Sequence, residues 1–163
     1  MSWHVAAVLE EAARYLGVRE LGTNRGREVD YWNYEAIRDW RQFPMGGKGA
    51  PWCAAFVSAC GVQGIGRKLW PVPHTAIADL IAQWGEEHDV AYREPEPGDI
   101  FCLHYPAKGR YGHVGFVVGV PSGSFETIEG NTNPGGSREG YGVFKRVRTV
   151  TDRCLFVRWA AVI

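Results

Sequence analysis

Cysteine, histidine and carboxylate side chains can together open an amide bond, and this chain carries such a set in an order that suits the task. Cys53 stands in the run Pro51-Trp52-Cys53-Ala54-Ala55-Phe56-Val57-Ser58-Ala59-Cys60. Cys53, Phe56, Val57 and Cys60 recur at i, i+3, i+4 and i+7, the spacing of one helix face. A thiol on a helix's first turn meets unpaired N–H groups and the positive end of the dipole, which favour the nucleophilic thiolate. Pro51 suits the helix opening, and Gly61, Gly64 and Gly66 are expected to end it. A lone cysteine in such a run is as readily a small buried hydrophobe, so the chemistry needs a base.

His113 is that base. In the strand 113–119, period two places His113, Gly115, Val117 and Gly119 on one face and Val114, Phe116 and Val118 on the other. Gly115 is expected to let a helix approach beside the imidazole. The strand 125–131 puts Phe125, Thr127, Glu129 and Asn131 on one side, within reach of the ring across a hairpin. Glu129 ranks first as the orienting group, because a carboxylate stabilises imidazolium better than an amide, and Asn131 ranks second.

The elements that must position these groups follow from periodicity. Helices are expected at 3–16, from a cap at Thr23 or Asn24 to about Trp40, at 53–62 and at 74–85. Val5, Val8, Leu9, Ala12, Ala13 and Leu16 make the first stripe, and Val29, Trp32, Ala36, Ile37 and Trp40 the second. Strands are expected at 99–104, 113–120, 125–131, 143–150 and 155–162. Helices first and strands second argue an α+β fold, an antiparallel sheet packed against N-terminal helices. The 163 residues fit one domain, 1–163.

Eighteen basic and eighteen acidic residues cancel, which removes the electrostatic case for nucleic acid or an anionic membrane as partner. No run approaches ~18 uninterrupted apolar residues, so no membrane span is expected. The first 18 residues, with Glu10, Glu11 and Arg14 inside an apolar pattern, read as helix and not as a signal peptide. Synthesis in the cytoplasm follows, and Cys53, Cys60, Cys102 and Cys154 are expected as free thiols. Two rival chemistries fit less well. Cys102, His104 and His113 lack the paired spacing of a zinc site. Glu20 and Glu129 are the one tempting pair of carboxylates for a glycosidase.

Four runs, Pro51-Trp52-Cys53-Ala54-Ala55-Phe56-Val57, Pro97-Gly98-Asp99-Ile100, Gly112-His113-Val114-Gly115-Phe116-Val117 and Ile128-Glu129-Gly130-Asn131-Thr132-Asn133, resemble CHAP (cysteine, histidine-dependent amidohydrolase/peptidase) domains within the NlpC/P60-like papain fold. The resemblance extends from about Leu16 to the C-terminus, and the run at 136–143 is similar to phage and prophage versions. It implies a papain-like α+β fold and a peptidoglycan hydrolase, either an N-acetylmuramoyl-L-alanine amidase or an endopeptidase of stem peptides or cross-bridges. Cys53 matches the nucleophile, His113 the base, and Glu129 with Asn131 the orienting groups. Trp52, Glu20 and Asn24 are expected to line the substrate groove, with Arg25 beside them. No metal or cofactor is called for. Peptidoglycan is the implied partner of a monomeric enzyme, phage endolysin or secreted effector, which a holin or secretion machinery would carry to the wall; the alternative is a non-catalytic cell-wall-binding module, against which the intact set of Cys53, His113 and Glu129 stands.

Overall fold

The computed structural model describes residues 1–37, 49–135 and 140–163. Among the described residues four α-helices come first, α1 (Trp3–Arg14), α2 (Arg27–Ile37), α3 (Cys53–Ile65) and α4 (Ala78–Glu87). Six strands among these residues follow, β1 (Ala91–Tyr92), β2 (Ile100–Tyr105), β3 (Arg110–Gly119), β4 (Ser124–Thr132), β5 (Gly142–Thr149) and β6 (Cys154–Val157). They form one antiparallel sheet in the order β1-β6-β2-β3-β4-β5. The fold is α+β, as the segregation of periodicities implies. No described helix is long and apolar enough to cross a membrane.

Helix α3 is the pivot: α1 and α2 pack on one side of it, β3 and β4 on the other. Ten of its residues, Cys53 through Gly61 and Ile65, are buried, so the helix is apolar all round, as an element enclosed by neighbours must be. Gly61 and Gly64 lie inside this helix and do not end it, which corrects the sequence reading. A Cβ on Gly61 would stand 2.2 Å from the Trp70 indole, and one on Gly64 would stand 2.9 Å from the Val8 backbone of α1. Both are points of close approach, and only Gly66, with φ 86°, is the stop.

Other boundaries move for local reasons. Asn24 sits at φ 53° in a tight turn closed by reciprocal Leu21–Arg25 and Arg25–Gly22 backbone bonds, so neither Thr23 nor Asn24 caps α2, which begins at Arg27. The part of α2 expected up to Trp40 and the side chains of Ala36 and Ile37 lie outside the described residues. The expected helix 74–85 starts at Ala78, because the N–H and carbonyl of Thr75 are taken by the Ser58 hydroxyl of α3 and Ile77 is extended. The strand expected over 155–162 stops at Val157. Trp159 then turns into a 3-10 segment, where its indole N–H donates to the Gly98 carbonyl at 2.8 Å.

The helix-facing side of the sheet contributes Ile100, Cys102, Val114, Phe116, Ile128, Leu155 and Val157 to the main core. The opposite face carries a smaller cluster of Phe101, Val117, Phe125, Cys154 and Phe156. The two sets alternate along each strand, the signature of a sheet buried on both sides. All four cysteines are free and buried.

Candidate active site

Cys53 opens α3 with Trp52 as its N-cap, and no side chain caps the first-turn N–H groups. Pro51 therefore lies one position outside the cap. These orphan donors and the dipole surround the sulfur with partial positive charge. The groups that act on the thiol are the His113 side chain and, more weakly, the Val114 and Ala54 N–H groups. Burial alone would push the thiol pKa up. The hydrogen bond and charge of His113, with the two N–H groups, outweigh it and lower the thiol below its ordinary value.

His113 is delivered by a bulge. Leu103 pairs with His113 and His104 with Tyr111, so Gly112 is the extra residue of β3. The Tyr105 ring fills the space where a Gly112 side chain would go, 2.1 Å from its Cβ position. Bulges re-aim side chains beside functional sites, and this one sits one residue before the imidazole. The ring's Nε2 is 2.8 Å from Glu129 Oε2, leaving Nδ1 for Cys53. Burial presses the imidazolium toward neutrality. Hydrogen bonds donated by the ring to Cys53 and Glu129, with the negative charges of both, win, raising the His113 pKa to about 9.

Glu129 is fully buried and held on every side. Arg148 donates through Nε to Oε1 at 2.5 Å and through Nη2 to Oε2 at 2.6 Å, a bidentate pair. The Thr127 hydroxyl donates to Oε1 at 2.6 Å. Burial would raise this carboxyl's pKa, yet Arg148 and then His113 hold it well below the usual carboxylate range. Arg148 in turn lies over the Phe101 ring at 5.1 Å. The result is a line of contacts running Cys53, His113, Glu129, Arg148.

The structure gives the Nε2 position to Glu129 and not to Asn131. Between Glu129 and Thr132 the β4–β5 register shifts, and Asn131 takes φ 53°, so strict alternation fails there and its residue faces the cleft. Gly115 also acts otherwise than expected. A Cβ there would lie 2.8 Å from the Ile128 carbonyl and 2.9 Å from Glu129 Cγ, so the glycine makes room for the carboxylate. The close helix approach falls instead at Gly130, whose Cβ position is 2.7 Å from Phe56 of α3.

Cys53 and His113 line a cleft of about 740 Å³. Glu20, Asn24, Tyr105, Lys108, Arg110, Asn131 and Tyr141 are on its lining too. Glu20 reaches the lining because residues 17–20 run along β5, bonded through Gly17–Val143, Val18–Val143 and Glu20–Tyr141 backbone contacts. Trp52 does not line the cleft, a correction to the groove role expected of it. It is fully buried against Trp32, ring centroids 5.2 Å apart, and its indole N–H donates to Glu20 Oε1 at 2.7 Å. Its large apolar body belongs in the core while its single donor steadies a cleft carboxylate. Arg25 pairs with Asp30 away from the cleft lining. Cys102 packs into the helix-side core, while His104 lies beyond the bulge, edge-on to Tyr111. Among the described residues no group of three or more His, Cys, Asp or Glu is placed to hold a metal ion.

Arg148 is the site residue that sequence reasoning missed. The available signal was period two: Arg146 and Arg148 alternate with Lys145, Val147 and Thr149 on the strand next to Glu129.

A thiol at a helix N-terminus, with an imidazole on an antiparallel sheet beside it and a buried carboxylate behind the ring, is an arrangement suited to cysteine-based amide chemistry. The chain belongs to the CHAP domain family, whose model matches residues 45–131. No curated protein matches it. Among solved structures it is similar to "The crystal structure of Ly7917", with TM-score 0.51 and 14% identity over 94% of this chain. The same protein described "with the hydrolyzing product of MDP" gives TM-score 0.44 and 16% identity, again over 94% of this chain. The chain spans 61% and 62% of the lengths of those two structures.

Proposed function

We propose that the protein is a peptidoglycan hydrolase that opens an amide bond through Cys53, His113 and Glu129, acting as an endolysin. The observation that carries this reading is the unbroken line of contacts from the Cys53 sulfur through His113 and Glu129 to Arg148, with Cys53 and His113 on the lining of a cleft. CHAP membership and the antiparallel sheet beneath α3 support it.

The chemistry follows from the charges. The Cys53 thiolate attacks the amide carbonyl carbon, and the first-turn N–H groups of α3 face the oxygen that becomes negative. Imidazolium His113 passes its proton to the leaving amine as the C–N bond breaks, leaving a thioester. Neutral His113 then takes a proton from water, whose oxygen attacks the thioester and returns Cys53 as thiolate. Glu129 keeps Nε2 protonated and the ring fixed throughout, and Arg148 keeps Glu129 ionised. Asn131, Asn24 and Glu20 contact the substrate from the cleft walls.

The amide is either the N-acetylmuramoyl-L-alanine bond or a peptide bond of the stem or cross-bridge. The test is digestion of purified sacculi followed by mass spectrometry of the products. New amino groups without new reducing ends are expected, and new reducing ends, as a glycosidase would release, overturn the reading. A holin or secretion machinery would deliver the monomer to the wall.

A further inference from the structure

Two cations on the cleft lining stand apart from the machinery above. Lys108 and Arg110 both line the cleft and both are exposed. Elsewhere in the described structure some arginines meet acids, Arg14 with Glu11, Arg25 with Asp30, Arg148 with Glu129, and Arg158 with Glu96 and Asp99, while others, such as Arg93 and Arg146, donate to backbone carbonyls. Among the described residues Lys108 and Arg110 have no such partner. The described cleft lining holds one carboxylate, Glu20, and that one already accepts the Trp52 indole N–H. Asp79, the acid nearest along the hairpin contacts, accepts from the Tyr111 N–H at 2.8 Å and from Gln83 at 2.8 Å and is not part of the lining.

The hairpin that carries the two cations is held in shape. Pro106–Lys108 forms a 3-10 turn closed by Gly109 at φ 60°, Arg110 pairs with Tyr105, and the Tyr105 ring sits against Gly112. The Asp79 bond to Tyr111 ties the same hairpin to α4. Two like charges carried by one hairpin on the lining of a cleft, with Glu20 the one acid among its described residues, raise the local concentration of anionic ligands and favour carboxylates.

We propose that Lys108 and Arg110 form a carboxylate-binding subsite that selects stem peptides carrying a free acidic group near the bond to be cut. The proposal rests on the peptidoglycan reading and narrows its substrate class. Arg110 lies three residues before His113 on β3, one of them the bulged Gly112. At about 3.3 Å per residue this puts the Arg110 backbone roughly 7–10 Å along β3 from that of the base. That span is about two to three residues of extended peptide.

The test uses two stem-peptide substrates that differ in one group, a free carboxylate in one and its carboxamide in the other, with the intact protein and the double variant Lys108→Gln/Arg110→Gln. The intact protein should favour the carboxylate by about fivefold or more in kcat/KM, mainly through KM, and the preference should shrink as salt rises. The double variant should bring the ratio to about one. Because the ratio is internal to each protein, partial loss of folded enzyme does not change it. A ratio near one for the intact protein, or an undiminished ratio in the double variant, overturns the subsite. Failure of the intact protein to cut either substrate or whole sacculi overturns the peptidoglycan reading itself, and the subsite with it.

Discussion

Helix α3 carries two buried cysteines two turns apart, and their surroundings make them chemically opposite. Cys53 meets first-turn N–H groups, the Val114 N–H and the His113 imidazole, and its pKa falls. Cys60 meets burial and then the charge of Glu11, and its pKa rises well above the ordinary thiol value. Burial pushes both upward; what differs is the electrostatic company. Burial in a shared helix does not lower a thiol pKa, since both residues have it. The first-turn N–H groups of α3 and the partners brought by β3 do.

The sharpest break of that contrast is to remove each sulfur in turn. Cys53→Ala should lower sacculus hydrolysis by at least about 10³-fold without unfolding the protein, whereas Cys60→Ala should keep hydrolysis and cost about 1 kcal/mol of stability from a small cavity. Turbidity loss of sacculi and thermal melts read the two effects. Next is the carboxylate. Glu129→Gln leaves a neutral group that no longer favours imidazolium, and a fall of about 10²–10⁴-fold in kcat is expected by analogy with other triads.

Arg148→Met should cost less, about tenfold in kcat. With the guanidinium gone, Glu129 is no longer held so far below the carboxylate range, so the acid limb of the pH–rate profile should move to higher pH. A merely structural loss would lower the rate without moving that limb. The smallest effect is a pH dependence of stability. The His113 pKa is raised from 6.5 to about 9 in the folded state. Its contribution is therefore complete below the unfolded value and lost as pH rises through about 9, up to about 3 kcal/mol. Melting temperature should fall by several degrees between pH 6.5 and 9.5, and His113→Ala should flatten that decline. Glu129 acts in the opposite direction: its depressed pKa gives stability present above its unfolded pKa and lost as pH falls toward the folded value.

Much of this site could be read in the sequence because it obeys simple periods. The i, i+3, i+4, i+7 pattern placed Cys53 on a helix start, and period two placed His113 and Glu129 on facing strand positions. What escaped were departures from period and choices made by packing. Asn131 sits in a bulge that alternation cannot foresee. Gly61 and Gly64 resemble stops until Trp70 and Val8 are seen pressing on them. Trp52 adjoins the nucleophile in sequence, yet its bulk is taken by the core beside Trp32. Arg148 sits across from Phe125 in the strand register, and its contact with Glu129, two alternate positions along the same face, is a side-chain reach that the sequence does not show.

The most direct measurement is the rate of iodoacetamide alkylation at each cysteine of the folded protein as a function of pH, resolved by peptide mass spectrometry. Cys53 should react selectively, with an apparent pKa below the ordinary thiol value that moves upward in His113→Ala, while Cys60 and Cys102 stay unreactive. A Cys53 that titrates at or above the ordinary thiol value, or that is indifferent to loss of His113, would contradict the account.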